Sequence, residues 1–176
     1  MFVLLNGAYG TGRSAAAGLL KAELRNAAIF SPERIGSRLV GVPPWLLGRK
    51  TSVDDFRDLP AWRRFIVWGA LAAHVGRATV IMPMAFSDRG HLAEFQEALA
   101  GRAEVKTYCL IAPHELVRER LFARAGPKGT GVSRWQRRRA RQCCEAHLEP
   151  GFGDPVDASQ PVEAVAAEIL GRLGGG

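Results

Sequence analysis

Short apolar runs alternate with longer amphipathic stretches along the chain. Residues 2–5 (FVLL) form the first run, bounded by Asn6-Gly7. Runs of this kind suit buried strands of a parallel sheet, where both faces are covered. Residues 27–30, 78–82 (ATVIM) and 104–112 (EVKTYCLIA) repeat the pattern, and Val156 marks a short last strand. Between them lie helical stretches. Residues 14–26 are rich in Ala, Leu, Lys, Glu and Arg, which are good helix formers. Ser31-Pro32-Glu33 reads as a helix start, with Ser31 as cap and Pro32 in the first position. The paired prolines of 41–48 (GVPPWLLG) stop regular structure. A long helix is predicted within 54–75, interrupted or begun near Pro60, with Phe65, Ile66, Gly69 and Ala73 on one face. Further helices are predicted over 89–100, 113–124, 133–147 (capped by Ser133) and 161–173, with a glycine-rich connection at 125–132. Strands alternating with helices imply an α/β protein, with helices on both faces of a parallel sheet.

The 176 residues fit one domain over 1–173 and a frayed glycine tail at 174–176. No apolar run approaches the roughly 20 residues of a membrane span, and the N-terminus lacks the basic region of a signal peptide. Of the three cysteines, Cys143 and Cys144 are adjacent. That spacing suits neither a disulfide framework nor a zinc site, so a reducing, cytoplasmic setting is expected. The formal charge of +7 favours anionic partners.

The stretch Gly7-Ala8-Tyr9-Gly10-Thr11-Gly12-Arg13-Ser14 follows the first strand and opens the first helix. It has the spacing of a phosphate-binding loop, with arginine in place of lysine. In that context the glycines turn successive N–H groups around phosphate oxygens and the helix N-terminus adds partial positive charge. Ser14 would give its hydroxyl to Mg²⁺. Arg13 keeps the charge, but its guanidinium is longer, planar and forked, so the exchange favours retained phosphate binding over retained fast catalysis. The third strand ends without a carboxylate, and Asp88 follows several residues later.

NGAYGTGRS (6–14), SPERIG (31–36), DDFRDLPAWR (54–63), MPM (82–84) and ERLFAR (119–124), with the tryptophan and arginines of 135–139, occur in this order. In these segments the chain resembles the tunicamycin-resistance ATP-binding proteins of bacteria, within the P-loop small-molecule kinases. It resembles chloramphenicol phosphotransferase more distantly. The resemblance implies a three-layer P-loop NTPase fold of adenylate-kinase type, a five-stranded sheet in the order 2-3-1-4-5, and an arginine-rich lid at about 125–141. It also implies ATP as cofactor with Mg²⁺, and a nucleoside-like or antibiotic acceptor. Protection against the antibiotic by phosphorylation or by sequestration is left open. The chain stops soon after its last helix, so the amphipathic C-terminal segment of the tunicamycin member is not expected, nor is integral membrane association. A homodimer is compatible with this reading.

By the same resemblance Glu33 is the general base on the acceptor hydroxyl, with a first-turn carboxylate stabilised by the helix dipole as the structural alternative. Asp54, Asp55, Trp62 and Arg63 fall on the acceptor side. The two aspartates read equally well as helix caps, and Trp62 and Trp68 as core residues. Arg120 and Arg124 lie four apart on one helix face. Together with Arg138 they would clamp the transferring phosphoryl group, with Arg134, Arg137, Arg139 and Arg141 nearby and Gly126, Gly129 and Gly131 as hinges. RWQRRRAR also carries a nucleic-acid reading, ranked second because the rest of the chain builds a nucleotide site. His74, His91, His114 and His147 have no metal spacing and receive no role.

Overall fold

A computed structural model describes residues 1–32, 60–124 and 132–175. Five strands and six helices alternate through them: β1 (Phe2–Gly7), α1 (Arg13–Glu23), β2 (Ala27–Ile29), α2 (Pro60–His74), β3 (Thr79–Met84), α3 (Arg89–Ala100), β4 (Val105–Ile111), α4 (His114–Arg124), α5 (Arg134–Ala146), β5 (Asp154–Asp157) and α6 (Val162–Gly174). The sheet is parallel, in the order β2-β3-β1-β4-β5. β1 is its central strand. Phe2 stands opposite Val80 of β3 on one side and Val105 of β4 on the other.

Alternation along β1 divides the core. Val3 and Leu5 face a cluster with Ala16, Leu20, Val117, Val165 and Ile169, drawn from α1, α4 and α6. Phe2 and Leu4 face the opposite cluster, with Trp62, Ile66, Leu92, Phe95 and Leu99 from α2 and α3. A strand with both faces covered must be apolar throughout, which is why FVLL carries no outward polar position.

Several boundaries differ from the sequence pattern for local reasons. α1 ends at Glu23, three residues early, and Asn26 then adopts a left-handed turn (φ 54°), a conformation asparagine tolerates better than most residues. β3 continues through Pro83 to Met84. A proline is costly in a strand where its missing N–H breaks the ladder. Here β2 pairs only as far as Ile81, so that side of β3 has no ladder beside Pro83 among the described residues. On α2 the inward face is Trp62, Ile66 and Ala70. Phe65, predicted to be inward, is 42% exposed and stacks on Trp62 at 5.3 Å between ring centroids. Gly69 does turn inward, against the Phe30 ring, where a Cβ would come within 2.3 Å. α6 extends to Gly174, one residue into the stretch read as a tail.

Candidate active site at the carboxyl edge of the sheet

The phosphate-loop sequence builds the geometry its spacing requires. Gly10 (φ 97°) and Gly12 (φ 89°) both occupy the left-handed region. Gly10 is also pressed against α4, where a Cβ would meet the Val117 carbonyl oxygen at 2.8 Å. The turn is tied internally, with Thr11 Oγ1 donating to the Ala8 carbonyl at 2.9 Å. Gly12 supplies no side-chain cap to α1, and its carbonyl accepts from Ala15 and Ala16. The first-turn N–H groups of such a helix have no intrahelical partner and favour an anion. Ser14 is exposed at this terminus.

Arg13 is 6% exposed. Its guanidinium carbon lies 5.1 Å from the centroid of the Tyr9 ring, and that ring lies 5.8 Å from Trp135 of α5. The residue in the lysine position is thus held within the loop by a cation–π contact to Tyr9, and it is the Tyr9 ring that meets α5 at Trp135.

Beside the loop, a cavity of about 390 Å³ opens at the carboxyl end of β3, the edge where open α/β sheets take their ligands. Trp62, Ile66, Met84 and Phe86 give it apolar walls, and Arg63, Asp88, His91, Arg139 and Gln142 bring polar groups. Arg63 donates to His91 Nε2 at 2.8 Å and its Nε faces Glu94 at 3.2 Å. A guanidinium has no acceptor, so Nε2 of His91 must accept. The Asp88 carboxylate accepts from the His91 N–H at 2.8 Å and caps α3.

A buried polar node connects loop, cavity and α5. Asn6, the last residue before Gly7, is fully buried. Its Oδ1 accepts from the Phe86 N–H at 2.8 Å, and its Nδ2 donates to the Phe86 and Phe152 carbonyls. His147 at the end of α5 is 3% exposed, and its Nε2 lies 2.7 Å from the Phe86 carbonyl. That distance makes Nε2–H the donor, so the nearby Asn6 Nδ2 at 3.3 Å is a neighbour rather than a donor to the same nitrogen. Burial lowers the His147 pKa most, the Phe86 bond opposes this, and the Arg13 charge lowers it further. The buried cysteine of β4 is a poor nucleophile, since burial, with Cys143 nearby, pushes the Cys109 thiol up to about 12.

Trp62 and Arg63 line the cavity at the end of β3, and Gly7 to Ser14 follow the neighbouring end of β1, where Asn6 stands opposite Met84, without lining the cavity themselves. Glu33, Asp54, Asp55 and the glycines 126, 129 and 131 lie outside the described residues. The arginine run divides by helical phase. Ser133 caps α5 through a full capping box with Gln136, as its sequence suggests. Arg139 then faces the cavity, whereas Arg138, about 100° around the helix, lines a separate groove against α4. Arg120 donates to the carbonyls of Ala158, Ser159 and Gln160, at 2.6, 3.1 and 3.5 Å, and pins the loop after β5. Arg124 is exposed in the last turn of α4. Asn6, His91 and His147 were not assigned from sequence, and Arg139 was named there only as one of the lid arginines near the phosphoryl clamp. Asn6 abuts the loop motif and Arg139 sits in the arginine run, so those two had a local signal. The histidines had none.

A central strand, a glycine turn and a helix in this order, within a 2-3-1-4-5 parallel sheet, define the P-loop kinase fold. No family model matches the chain, and no curated protein matches it. Among solved structures, the tunicamycin resistance protein of Deinococcus radiodurans is similar at 24% identity and TM-score 0.73, covering 98% of this chain and 95% of that one. A sugar kinase from Janibacter sp. HTCC2649 aligns at 20% identity and TM-score 0.67, over 98% and 93% of the two chains. A gluconokinase from Sinorhizobium meliloti 1021 aligns at 17% identity and TM-score 0.62, over 97% and 94%. The likeness is one of fold.

Proposed function

We propose that the protein is a single-domain, ATP-dependent phosphotransferase acting on a small nucleoside-like or antibiotic acceptor. The observation that carries this reading is the adjacency of two features. A left-handed glycine turn at an uncapped helix N-terminus opens beside a partly apolar cavity at the carboxyl edge of the sheet. The first suits a polyphosphate and the second a ring-bearing small molecule. The similarity in fold to small-molecule kinases and to a tunicamycin resistance protein supports the same reading.

In it, the backbone of Gly7 to Gly12 and the α1 N-terminus hold the phosphates, and Arg13 supplies fixed positive charge. Ser14 would hold Mg²⁺ together with phosphate oxygens and water. No cluster of three or more His, Cys, Asp or Glu that could bind a metal occurs among the described residues, and the ion would supply charge neutralisation between phosphates. Trp62 and Phe86, which line the cavity, would flank an acceptor ring, and Arg139 and Gln142 would meet its polar groups. Glu33 remains the proposed base, with Asp54 and Asp55 as proposed acceptor contacts. Arg120, Arg124 and Arg138 remain proposed phosphate clamps only in a conformation that frees Arg120 from its three carbonyls.

Calorimetric titration with Mg·ATP tests the first half, with saturable binding expected. A screen of nucleoside antibiotics for ADP release tests the second. Binding of ATP with no release for any acceptor that itself binds stoichiometrically would select sequestration. Burial of Arg13 against Tyr9, in the place of a mobile lysine, favours that second reading.

A further inference from the structure

The groove between α4 and α5 lies apart from the acceptor cavity. Its volume is about 280 Å³, and its floor is Leu121, Phe122 and Ala140. Arg118, Arg137, Arg138 and Arg141 surround it, with His114 at one end. The arginines are all exposed. Arg141 pairs with Glu145 at 2.7 Å. No hydrogen bond or ion pair engages the side chains of Arg118, Arg137 or Arg138 among the described residues. Arg134, also exposed, stands one turn before Arg138. The opposite side of α5 is already committed, with Trp135 against Tyr9 and Arg139 and Gln142 in the cavity.

We propose that this groove docks a single-stranded nucleic acid. Four of the residues that line the groove are arginines, whose forked guanidinium matches phosphate oxygens and also stacks on flat rings. Arg134, Arg138 and Arg141 recur about once per turn, roughly every 5.4 Å along α5, so they track a phosphate backbone laid along the helix. The apolar floor with the Phe122 ring accepts one unstacked base, and stacking of this kind tolerates any sequence. A duplex cannot present an unstacked base to a concave slot. An acidic peptide satisfies the charge but leaves the ring-sized floor unused. The inference does not rest on the phosphotransferase reading: of the residues proposed there only Arg138 lines the groove, and Arg118, Arg137 and Arg141 have no part in it.

The test is fluorescence anisotropy of the full chain with a labelled mixed-sequence 12-nucleotide strand, from 50 to 200 mM KCl. Saturable binding is expected, with a log–log salt slope of about −2 to −3 for three to four phosphate contacts. Replacing both Arg118 and Arg137 by alanine is expected to weaken binding about tenfold and to flatten the slope by about 1.4. Both side chains are exposed, and circular dichroism checks that the variant remains folded. Phe122→Leu keeps the charge and is expected to weaken the strand more than it weakens inorganic polyphosphate. Three results would overturn the proposal: no binding at 50 mM salt, binding that the arginine pair does not change, or polyglutamate of equal length binding as tightly. Displacement of the strand by Mg·ATP would also overturn it, by moving the strand to the phosphate loop.

Discussion

Gly10 illustrates how much a single residue can be constrained. Its φ of 97° and the Val117 carbonyl 2.8 Å from where a Cβ would sit act together. Gly10→Ala must shift the backbone of α4 or of the loop, so a loss of about 1–3 kcal/mol is expected in urea unfolding, with weaker phosphate binding. Gly18, on the surface of α1, has open space around it, so Gly18→Ala is the control and should stabilise slightly. His147 gives a second prediction at this scale. Its pKa is lowered in the folded protein, chiefly by burial. Between the folded value and the ordinary value near 6.5 the unfolded chain therefore binds more protons, and stability falls as the pH falls through that window. The contribution is fully present above about pH 6.5 and is lost on acidification. Urea midpoints measured from pH 7.5 to 5 should decline in the wild type, and His147→Gln should remove part of that slope. An unchanged slope would mean that His147 does not carry it.

At the scale of elements, α5 is the helix that organises both candidate binding surfaces, and its phase is anchored by its cap. Ser133→Ala removes half of the capping box, at an expected cost of about 1 kcal/mol. Hydrogen exchange should then rise first in the N-terminal turn of α5, with the β1 amides unchanged. Ser133 was legible from sequence because a cap is a local signal. So were β1, the glycine turn and α1, whose apolar run and spacing are contiguous. The inward face of α2 was legible only in part, because Phe65 and Ile66 are both apolar and only packing against β3 and Phe30 chooses between them. The assignment of Arg138 over Arg139 had the same weakness. Five closely spaced arginines contain no mark of which one turns toward a cavity, and a single position changes the answer. Asn6 with His147, and Arg63 with His91, are pairs separated by 141 and 28 residues, so no window of sequence holds either.

For the whole molecule, the question is whether the phosphate site and the rest of the fold act as one cooperative unit. The sheet argues that they do. β1 carries the loop at its end, lies between β3 and β4, and meets both apolar clusters. The node at Asn6 ties that same strand end to Phe86, Phe152 and His147. A ligand held at the loop should therefore stabilise the global fold and not only a local segment. At a free Mg·ATP concentration about 100 times its dissociation constant, linkage gives about 2.7 kcal/mol. For a domain of this size that corresponds to a rise of roughly 5–10 °C in Tm. The measurement is a calorimetric scan at several nucleotide concentrations, with a single transition that moves upward as a unit. An Asn6→Ala variant should begin from a lower Tm and show a smaller rise, because the loop is then no longer anchored to Phe86 after β3 and Phe152 before β5. If the nucleotide moved one transition and left a second in place, the loop and the sheet would be separate folding units, and the coupling through Asn6 would be wrong.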